Sequence, residues 1–163
     1  MILITDGGST KCDWILLDTS GEVILKTRTL GLNPAVLSEI ELTERITSNK
    51  DLSPLFEKVA VVDFYGAGCG TKTPVLLLKN TLQNIFINAK VSVNEDTVAA
   101  VYAATTQPGI VCILGTGSNS CYFDGKEIHN SIESLGYMLM DEASGNYFGK
   151  RLIRDYYYKK MPE

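Results

Sequence analysis

The sequence has one histidine, one tryptophan and no excess of basic residues. The lone His129 and four cysteines without a CxxC spacing do not form a pattern of metal ligands. Lys and Arg number 15 against 19 Asp and Glu, a net charge of −4, so no basic surface indicates binding to nucleic acid or to anionic lipid. No apolar stretch approaches the roughly 20 residues of a membrane-spanning helix. We therefore expect neither a nucleic-acid nor a membrane partner.

The cysteines and the first residues of the chain indicate its compartment. Cys12, Cys69, Cys112 and Cys121 each lie in or beside an apolar run, which favours buried free thiols in a reducing compartment over disulfides or metal ligands. The opening run 1–4 is short and has no basic leader, so an export signal is not expected. Together these features predict a cytoplasmic protein.

The composition is that of a globular protein. Of the 163 residues 45% are hydrophobic and 21% charged, which excludes disordered and collagen-like chains. This length suits one ordinary domain or two small ones with a core of their own.

The first two thirds of the chain predict an α/β fold. Apolar runs broken by glycine turns predict an antiparallel three-stranded meander, and the run before the Gly66-Ala67-Gly68 loop predicts a strand buried on both faces. Helical spacing then alternates with short strands, as in α/β domains. The expected strands are 2–5, 14–17, 22–30, 59–65 and 91–94, and the expected helices are 35–48, 73–88 and 96–105.

A boundary and a second meander follow. Gln107-Pro108-Gly109 combines the residues that end helices and begin turns, so we place a domain boundary there. Strands at 110–114, 120–123 and 126–129 repeat the order of the first meander, and a helix is expected over 142–158. The sequence therefore predicts domains at 1–107 and 108–163, the second being a copy that has only begun.

Two tight glycine turns join the first two strands of the two meanders. The first is Asp6-Gly7-Gly8-Ser9-Thr10-Lys11, and the second is Gly115-Thr116-Gly117-Ser118-Asn119. Such turns can direct backbone N–H groups and small hydroxyls at phosphate oxygens, although neither has the Walker or the Rossmann spacing. One such turn is most often an ordinary hairpin. Two at equivalent places in a duplicated unit favour a phosphate site.

These turns, together with Glu95-Asp96 and Asp141-Glu142-Ala143-Ser144-Gly145, resemble the N-acetylglucosamine kinases. They also resemble the related BadF/BadG-type ATPases of the actin-like ATPase and sugar kinase superfamily. The resemblance covers the whole chain and implies a ribonuclease-H-like domain with a mixed five-stranded sheet flanked by helices, plus the start of a second such domain. In that superfamily the two domains close over ATP and magnesium. The segment that usually forms the adenosine pocket would lie beyond residue 163, so an incomplete chain is expected.

The resemblance implies roles for the two glycine turns. Asp6 would lie near the magnesium ion. Backbone and side chains of the two turns would contact the nucleotide phosphates, with the residues Gly7, Gly8, Ser9, Thr10 and Lys11 in the first turn and Gly115, Thr116, Gly117 and Ser118 in the second.

Asp96 matches the catalytic aspartate of the family. It would take a proton from the sugar hydroxyl as that hydroxyl attacks the terminal phosphate. From the residues alone, an aspartate before Thr97-Val98-Ala99 is also a good helix N-cap. Both interpretations of Asp96 stay open at this point.

The remaining matched residues would bind the sugar. Asn33 in Gly31-Leu32-Asn33-Pro34 sits where the family has a sugar-contacting asparagine, and the acidic pair would contact sugar hydroxyls. Ordinary turn chemistry and helix capping explain these residues nearly as well. The proposed sugar-binding residues are Asn33, Gly66, Ala67, Asn119, Asp141 and Glu142.

The chain departs from the family around the acidic pair. Kinases of the family usually have flanking glycines and a preceding Gly-Gly-Trp-Gly run, whereas this chain has Met140, Ala143 and Glu133-Ser134-Leu135-Gly136.

The expected function is ATP-dependent phosphorylation of an amino sugar, with N-acetylglucosamine as the expected substrate and a homodimer left open. The alternatives are an ATPase that activates a radical dehydratase or reductase, and a non-catalytic nucleotide or sugar sensor.

Overall fold

The computed structural model describes residues 1–115, 117–130 and 138–162. The chain forms two compact units, Met1–Ala99 and Ala100–Glu163. The boundary that the sequence suggests at 107–109 stays a prediction about domains.

The first unit is built on a mixed five-stranded sheet, which confirms the expected fold class. Its strand order is β3-β2-β1-β4-β5. β1 pairs antiparallel with β2 and β2 with β3, whereas β1–β4 and β4–β5 are parallel. Short turns join the antiparallel strands, and the parallel strands are joined by helical crossovers, as their geometry requires. The strands are β1 Ile2–Gly7, β2 Lys11–Leu17, β3 Val23–Leu30, β4 Val61–Gly66 and β5 Lys90–Glu95.

One face of this sheet packs against two helices, α1 (Glu39–Thr47) and α2 (Lys72–Ile85). Because side chains alternate between the faces of a strand, every second residue of β1 and β2 is buried there. Trp14 is 1% exposed and lies in this core. The largest buried side chains of this core are Leu3, Trp14, Leu32, Leu42, Ile46, Leu52, Phe64, Leu78, Leu82 and Phe86.

Helix α1 begins four residues later than the sequence suggests. The Ser38 hydroxyl accepts a hydrogen bond from the Glu41 amide, and the Glu41 carboxylate accepts one from the Ser38 amide. This reciprocal capping satisfies amides that the first turn of a helix leaves free, so the helix starts at Glu39. Residues 34–36 form a turn instead. A short 3₁₀ helix, Ser53–Leu55, and helix α3, Asp96–Ala104, complete the helical segments up to residue 104.

The second unit contains the second meander. Strands β6 (Gly109–Leu114), β7 (Ser118–Phe123) and β8 (Ile128–His129) form an antiparallel sheet in that order. Its small core consists of Val101, Val111, Cys121 and Phe123, with Ile128 packed against them. The predicted strand order is therefore observed.

Helix α4 spans Gly145–Tyr157 and is shorter than the predicted 142–158. Asp141 and Ala143 have φ angles of +69° and +60°, which a right-handed helix cannot include. The Ser144 hydroxyl accepts from the Tyr147 amide and caps the helix start. On α4 the apolar side chains of Phe148, Leu152 and Tyr156 are exposed.

The cysteine prediction is right for three residues and wrong for one. All four thiols are free; Cys12, Cys69 and Cys121 are buried, but Cys112 is exposed. Cys112 lies on β6 directly after the buried Val111, so strand alternation turns its side chain to the outer face.

His129 is exposed and has an acidic partner that the sequence analysis missed. The turn between β7 and β8 brings Asp124 Oδ2 to 2.9 Å from His129 Nε2.

Among the described residues, no helix is both long and apolar enough to cross a membrane.

Candidate active site

The three parallel strands of the first unit end at the same level. Gly7 of β1 is paired with Gly66 of β4, and Gly66 with Glu95 of β5. The Ala67 amide donates to the Gly7 carbonyl, 2.8 Å away, just beyond the paired segment. In α/β sheets ligands bind outside the carboxyl ends of parallel strands. The predicted phosphate turn, substrate loop and catalytic aspartate of this unit all follow this one edge.

The first glycine turn is closed by backbone hydrogen bonds. The Gly8 amide donates to the Lys11 carbonyl at 2.8 Å, which leaves Ser9 and Thr10 at the exposed tip. The segment after β3 binds the turn from the side, because the Gly31 amide donates to the Thr10 carbonyl at 2.9 Å and the Leu32 amide to the Gly8 carbonyl at 3.2 Å. The turn is therefore held at both its base and its flank.

Asn33 lies between this turn and the loop after β4. Its Nδ2 donates to the Ser9 hydroxyl at 3.0 Å, and its Oδ1 accepts from the Ala35 amide at 2.9 Å. Gly68 has a φ of +81°, and a Cβ there would stand 1.9 Å from Asn33 Oδ1. Only glycine fits a position that combines this backbone angle with this contact.

Asp96 is exposed at the carboxyl end of β5, as the first residue of α3. Its Oδ1 accepts a hydrogen bond from the Thr97 amide at 2.9 Å. An N-cap side chain ordinarily bonds to an amide two or three residues further on. The contact with the adjacent residue is therefore not the usual cap geometry, and it leaves the second carboxylate oxygen for another partner.

Glu95 and Asp96 place negative charge beside the loop after β4. Glu95 Oε2 accepts from the Thr97 hydroxyl at 3.2 Å, and its Oε1 is close enough to Gly70 that a Cβ there would lie 2.8 Å away. Burial, together with the charges of Asp96 and Glu95, raises the pKa of the Cys69 thiol to about 11. Cys69 is thus a protonated thiol at neutral pH and no nucleophile.

Lys11 points its side chain to Asp13 of β2 and not to the tip of the turn. Its Nζ donates to Asp13 Oδ2 at 3.0 Å, and Arg28 Nε donates to the other oxygen of the same carboxylate. Hydrogen bonds from Arg28 and then from Lys11 lower the pKa of Asp13. This exposed ion-pair group lies next to the turn, and the predicted contact of Lys11 with phosphate stays a prediction.

Asp6 is an exposed carboxylate on β1, directly opposite Asp13 of β2. Magnesium in phosphoryl-transfer sites is commonly held by one or two carboxylates and by the phosphates of the substrate. Among the described residues no group of three His, Cys, Asp or Glu side chains could hold a metal by itself. The predicted contact of Asp6 with magnesium stays a prediction.

The second glycine turn is bound by the segment that precedes α4. The Gly115 amide donates to the Gly117 carbonyl at 2.9 Å, and the Gly115 carbonyl accepts from the Gly145 amide at 2.8 Å. The Ser118 hydroxyl donates to the Glu142 carbonyl, also at 2.8 Å. The acidic pair is thereby fixed beside the predicted phosphate turn within this unit, while Thr116 lies outside the described residues.

Within the acidic pair, Asp141 is the buried member and Glu142 is exposed. Asp141 Oδ2 lies against Gly117, where an added Cβ would be 2.6 Å away. Ala143, which stands where the family usually has glycine, takes the left-handed backbone angle that glycine would provide. Residues 133–136, where the chain also departs from the family, lie outside the described residues. Asn119 accepts from the Ser120 amide on β7.

Two residues that support the site were missed in the sequence. Arg45 of α1 donates from Nη1 to the Gly31 carbonyl at 2.6 Å and so holds the segment that flanks the first turn. A Cβ at Gly31 would stand 2.2 Å from the Ser9 carbonyl oxygen, so this glycine permits the close approach. The sequence analysis interprets the Gly31-Leu32-Asn33-Pro34 run as a turn with a sugar-contacting Asn33, and nothing in the run points to Arg45.

Comparison with solved structures shows what this arrangement is similar to. Over its whole length the chain is 37% identical to a candidate N-acetylglucosamine kinase from Porphyromonas gingivalis, with a TM-score of 0.87. The chain spans 58% of that protein's length. A scan against models of known protein families gives no match.

The chain has the fold of the actin-like ATPases and sugar kinases. The resemblance inferred from its glycine turns is confirmed. Two more distant structures share the fold. A candidate N-acetylglucosamine kinase from Chromobacterium violaceum is 18% identical with a TM-score of 0.64, over 94% of this chain and 55% of that one. A Streptomyces griseus ROK family glucokinase, solved with glucose and AMPPNP, is 18% identical with a TM-score of 0.54, over 78% of this chain and 46% of that one.

Proposed function

We propose that this chain forms part of an ATP-dependent kinase of amino sugars and that N-acetylglucosamine is its substrate. The observation that carries the proposal is the shared edge of β1, β4 and β5, where Gly7, Gly66 and Glu95 are in register. The 37% identity to a candidate N-acetylglucosamine kinase supports the choice of sugar.

The two glycine turns are proposed to bind the phosphates. In phosphoryl transfer the protein contributes mostly positioning and charge stabilisation, which suits turns held by backbone hydrogen bonds. The Ser9 and Thr10 hydroxyls stand at the exposed tip of the first turn. Gly115, Gly117 and Ser118 are held in the second, where we propose the same role. Magnesium bound with ATP would neutralise phosphate charge, with Asp6 as its protein ligand.

Asp96 is proposed as the general base. Its carboxylate removes the proton from a sugar hydroxyl while that oxygen forms a bond to the terminal phosphorus of ATP. The bond between this phosphorus and the oxygen that bridges it to the next phosphate breaks, and ADP leaves. Asn33, the Gly66-Ala67 loop, Asn119 and the acidic pair Asp141-Glu142 are proposed to bind the sugar.

The test measures phosphate transfer by the protein expressed from its complete gene. Labelled ATP is supplied with N-acetylglucosamine, N-acetylmannosamine, glucosamine or glucose, and the sugar phosphate is identified by mass spectrometry. We expect transfer to N-acetylglucosamine with the highest kcat/KM. Sugar binding without transfer would favour the sensor, and sugar-independent ATP hydrolysis would favour the ATPase alternative.

The Asp96→Asn variant tests the base. Asparagine keeps an oxygen that can accept the Thr97 amide, so the fold is retained while the base is lost. We expect turnover to fall on the order of a hundredfold or more, with sugar affinity nearly unchanged. Asp155→Asn makes the same chemical change on α4, away from the proposed base, and should leave turnover as it is. Wild-type turnover in Asp96→Asn would remove Asp96 from the mechanism.

A further inference from the structure

The orientation of the Asn33 amide is fixed by its two partners. A backbone N–H can only donate, so the atom that faces the Ala35 amide at 2.9 Å must be the oxygen, Oδ1. The atom that faces Ser9 Oγ at 3.0 Å must then be the nitrogen, Nδ2. Asn33 is therefore the donor, and Ser9 the acceptor, in the bond between them.

This direction determines what Ser9 can do with its own hydrogen. A serine hydroxyl has one hydrogen, and Ser9 Oγ already uses a lone pair to accept from Asn33. No acceptor for the Ser9 hydrogen is recorded among the described residues of this unit. Ser9 is at the exposed tip of the first glycine turn, so its hydrogen is free to be donated to an oxygen of a ligand.

The surrounding backbone gives the Asn33 side chain little freedom to move. Its own segment is bound to the turn through the Gly31 and Leu32 amides, and Arg45 holds the Gly31 carbonyl. On its other side the backbone of Gly68 lies directly against Oδ1. A side chain enclosed in this way can impose one direction on the hydroxyl that it contacts.

We propose that Asn33 is a positioning residue for phosphoryl transfer, because its amide turns the Ser9 hydroxyl hydrogen toward a phosphate oxygen. The proposal rests on the function proposed above and adds a second role for Asn33. An amide nitrogen carries two hydrogens, so the second N–H stays available for the sugar while the first holds Ser9. One side chain then contacts the sugar directly and acts on ATP through Ser9.

Replacing Asn33 with aspartate reverses the hydrogen bond with little change in shape. An aspartate oxygen can still accept from the Ala35 amide, but its other oxygen cannot donate. The Ser9 hydroxyl must then donate to residue 33 and turn away from the phosphate. The new charge also repels phosphate whatever Ser9 does, so the variant alone is not decisive.

The decisive experiment measures how much Ser9→Ala lowers kcat/KM for ATP, first in the wild type and then in Asn33→Asp. In the wild type the change removes a hydrogen bond to a charged group and should lower kcat/KM for ATP about tenfold to a hundredfold. In Asn33→Asp the hydroxyl no longer reaches the phosphate, so the same change should have almost no further effect. The aspartate at position 33 is present in Asn33→Asp both with and without Ser9→Ala. The effect of its charge on phosphate binding therefore cancels when these two variants are compared. Equal costs in the two backgrounds would overturn the proposal.

Thr10→Ala provides the matched control. Thr10 shares the tip of the turn, but the side-chain bonds of Asn33 go to Ser9 and Ala35. Whatever Thr10→Ala costs in the wild type, it should cost the same in Asn33→Asp. A cost that also disappears there would mean that Asn33→Asp disrupts the whole turn, which contradicts the specific role of Ser9.

A measurement without turnover separates this proposal from the proposed function. In the 163-residue chain, the side-chain NH₂ signal of Asn33 in a ¹⁵N spectrum should shift in Ser9→Ala and stay in place in Thr10→Ala. Titration with inorganic pyrophosphate should move that signal in the wild type and not in Ser9→Ala. If the Asn33 signal shifts neither in Ser9→Ala nor on addition of pyrophosphate, the positioning role is overturned. If these shifts are observed but the kinase assay detects no phosphate transfer, only the proposed function is contradicted.

Discussion

The carboxylate of Asp141 lies against the backbone of Gly117, so that a Cβ at residue 117 would stand 2.6 Å from Asp141 Oδ2. Asp141 is buried and short, so it cannot move aside freely. We expect Gly117→Ala to destabilise the second unit by about 1–3 kcal/mol through overpacking. Hydrogen exchange of the β6 and β7 amides measures this, because Trp14 fluorescence reports only on the first unit.

Gly149→Ala is the control for that substitution. Gly149 lies inside α4 with nothing within 4 Å of an added Cβ. Alanine there should be neutral or stabilise the helix by about 0.5–1 kcal/mol. Equal protection of β6 and β7 in Gly117→Ala and the wild type would contradict the close contact.

Ala143 has a left-handed backbone with a φ of +60°, a conformation that costs an L-residue about 1 kcal/mol or more. Because glycine adopts it without strain, we expect Ala143→Gly to stabilise the second unit by about 0.5–1 kcal/mol. The readout is exchange protection of the same strands. Ala103→Gly, in the right-handed helix α3, should instead destabilise by a similar amount. Loss of stability in Ala143→Gly would be inconsistent with strain at this residue.

The four thiols should react with iodoacetamide at very different rates at pH 8. Cys112 is exposed, whereas burial raises the pKa of the other three thiols, Cys12, Cys69 and Cys121. For Cys69 the negative charges of Asp96 and Glu95 add to burial, and its pKa is raised to about 11. Since the thiolate is the reactive form, peptide mapping should find Cys112 labelled first. Cys112→Ser should lack the fast label. Labelling of Cys69 at the same rate as Cys112 would show that its loop opens.

The hairpin between β7 and β8 should be sensitive to acid below pH 4. Hydrogen bonds from the Glu127 amide, from His129 and from the Lys126 amide lower the pKa of Asp124 to about 2. A carboxyl whose pKa is lowered by folding stabilises the fold above its unfolded pKa of 3.8, and this contribution is lost as the pH falls toward 2.

Asp124→Asn serves as the test of this pH dependence. The difference in amide protection between wild type and variant should be largest above pH 4 and should vanish near pH 2. A difference that stays constant over this range would mean that the charge of Asp124 contributes nothing to the hairpin.

Much of the fold was predictable because it is encoded in local pattern. The alternation in β1 to β3, the apolar run of β4 and the glycine turns specify strands and hairpins from neighbouring residues alone. Helix boundaries were less accurate, since they depend on individual caps. Ser38 moves the start of α1 to Glu39, and Ser144 moves that of α4 to Gly145.

For the candidate site, the sequence by itself determined which residues stand at the ends of strands: the first glycine turn, the Gly66-Ala67 loop and Glu95-Asp96. Only the tertiary structure decided that Asn33 binds Ser9, that Gly68 lies against Asn33, and that Arg45 holds Gly31. These contacts join residues from segments far apart in the chain. No periodicity or motif records them, because they depend on how strands pair and pack. The antiparallel pairs β1–β2 and β2–β3 return the chain to the first turn, and the parallel pair β1–β4 brings the loop of Gly68 beside Asn33.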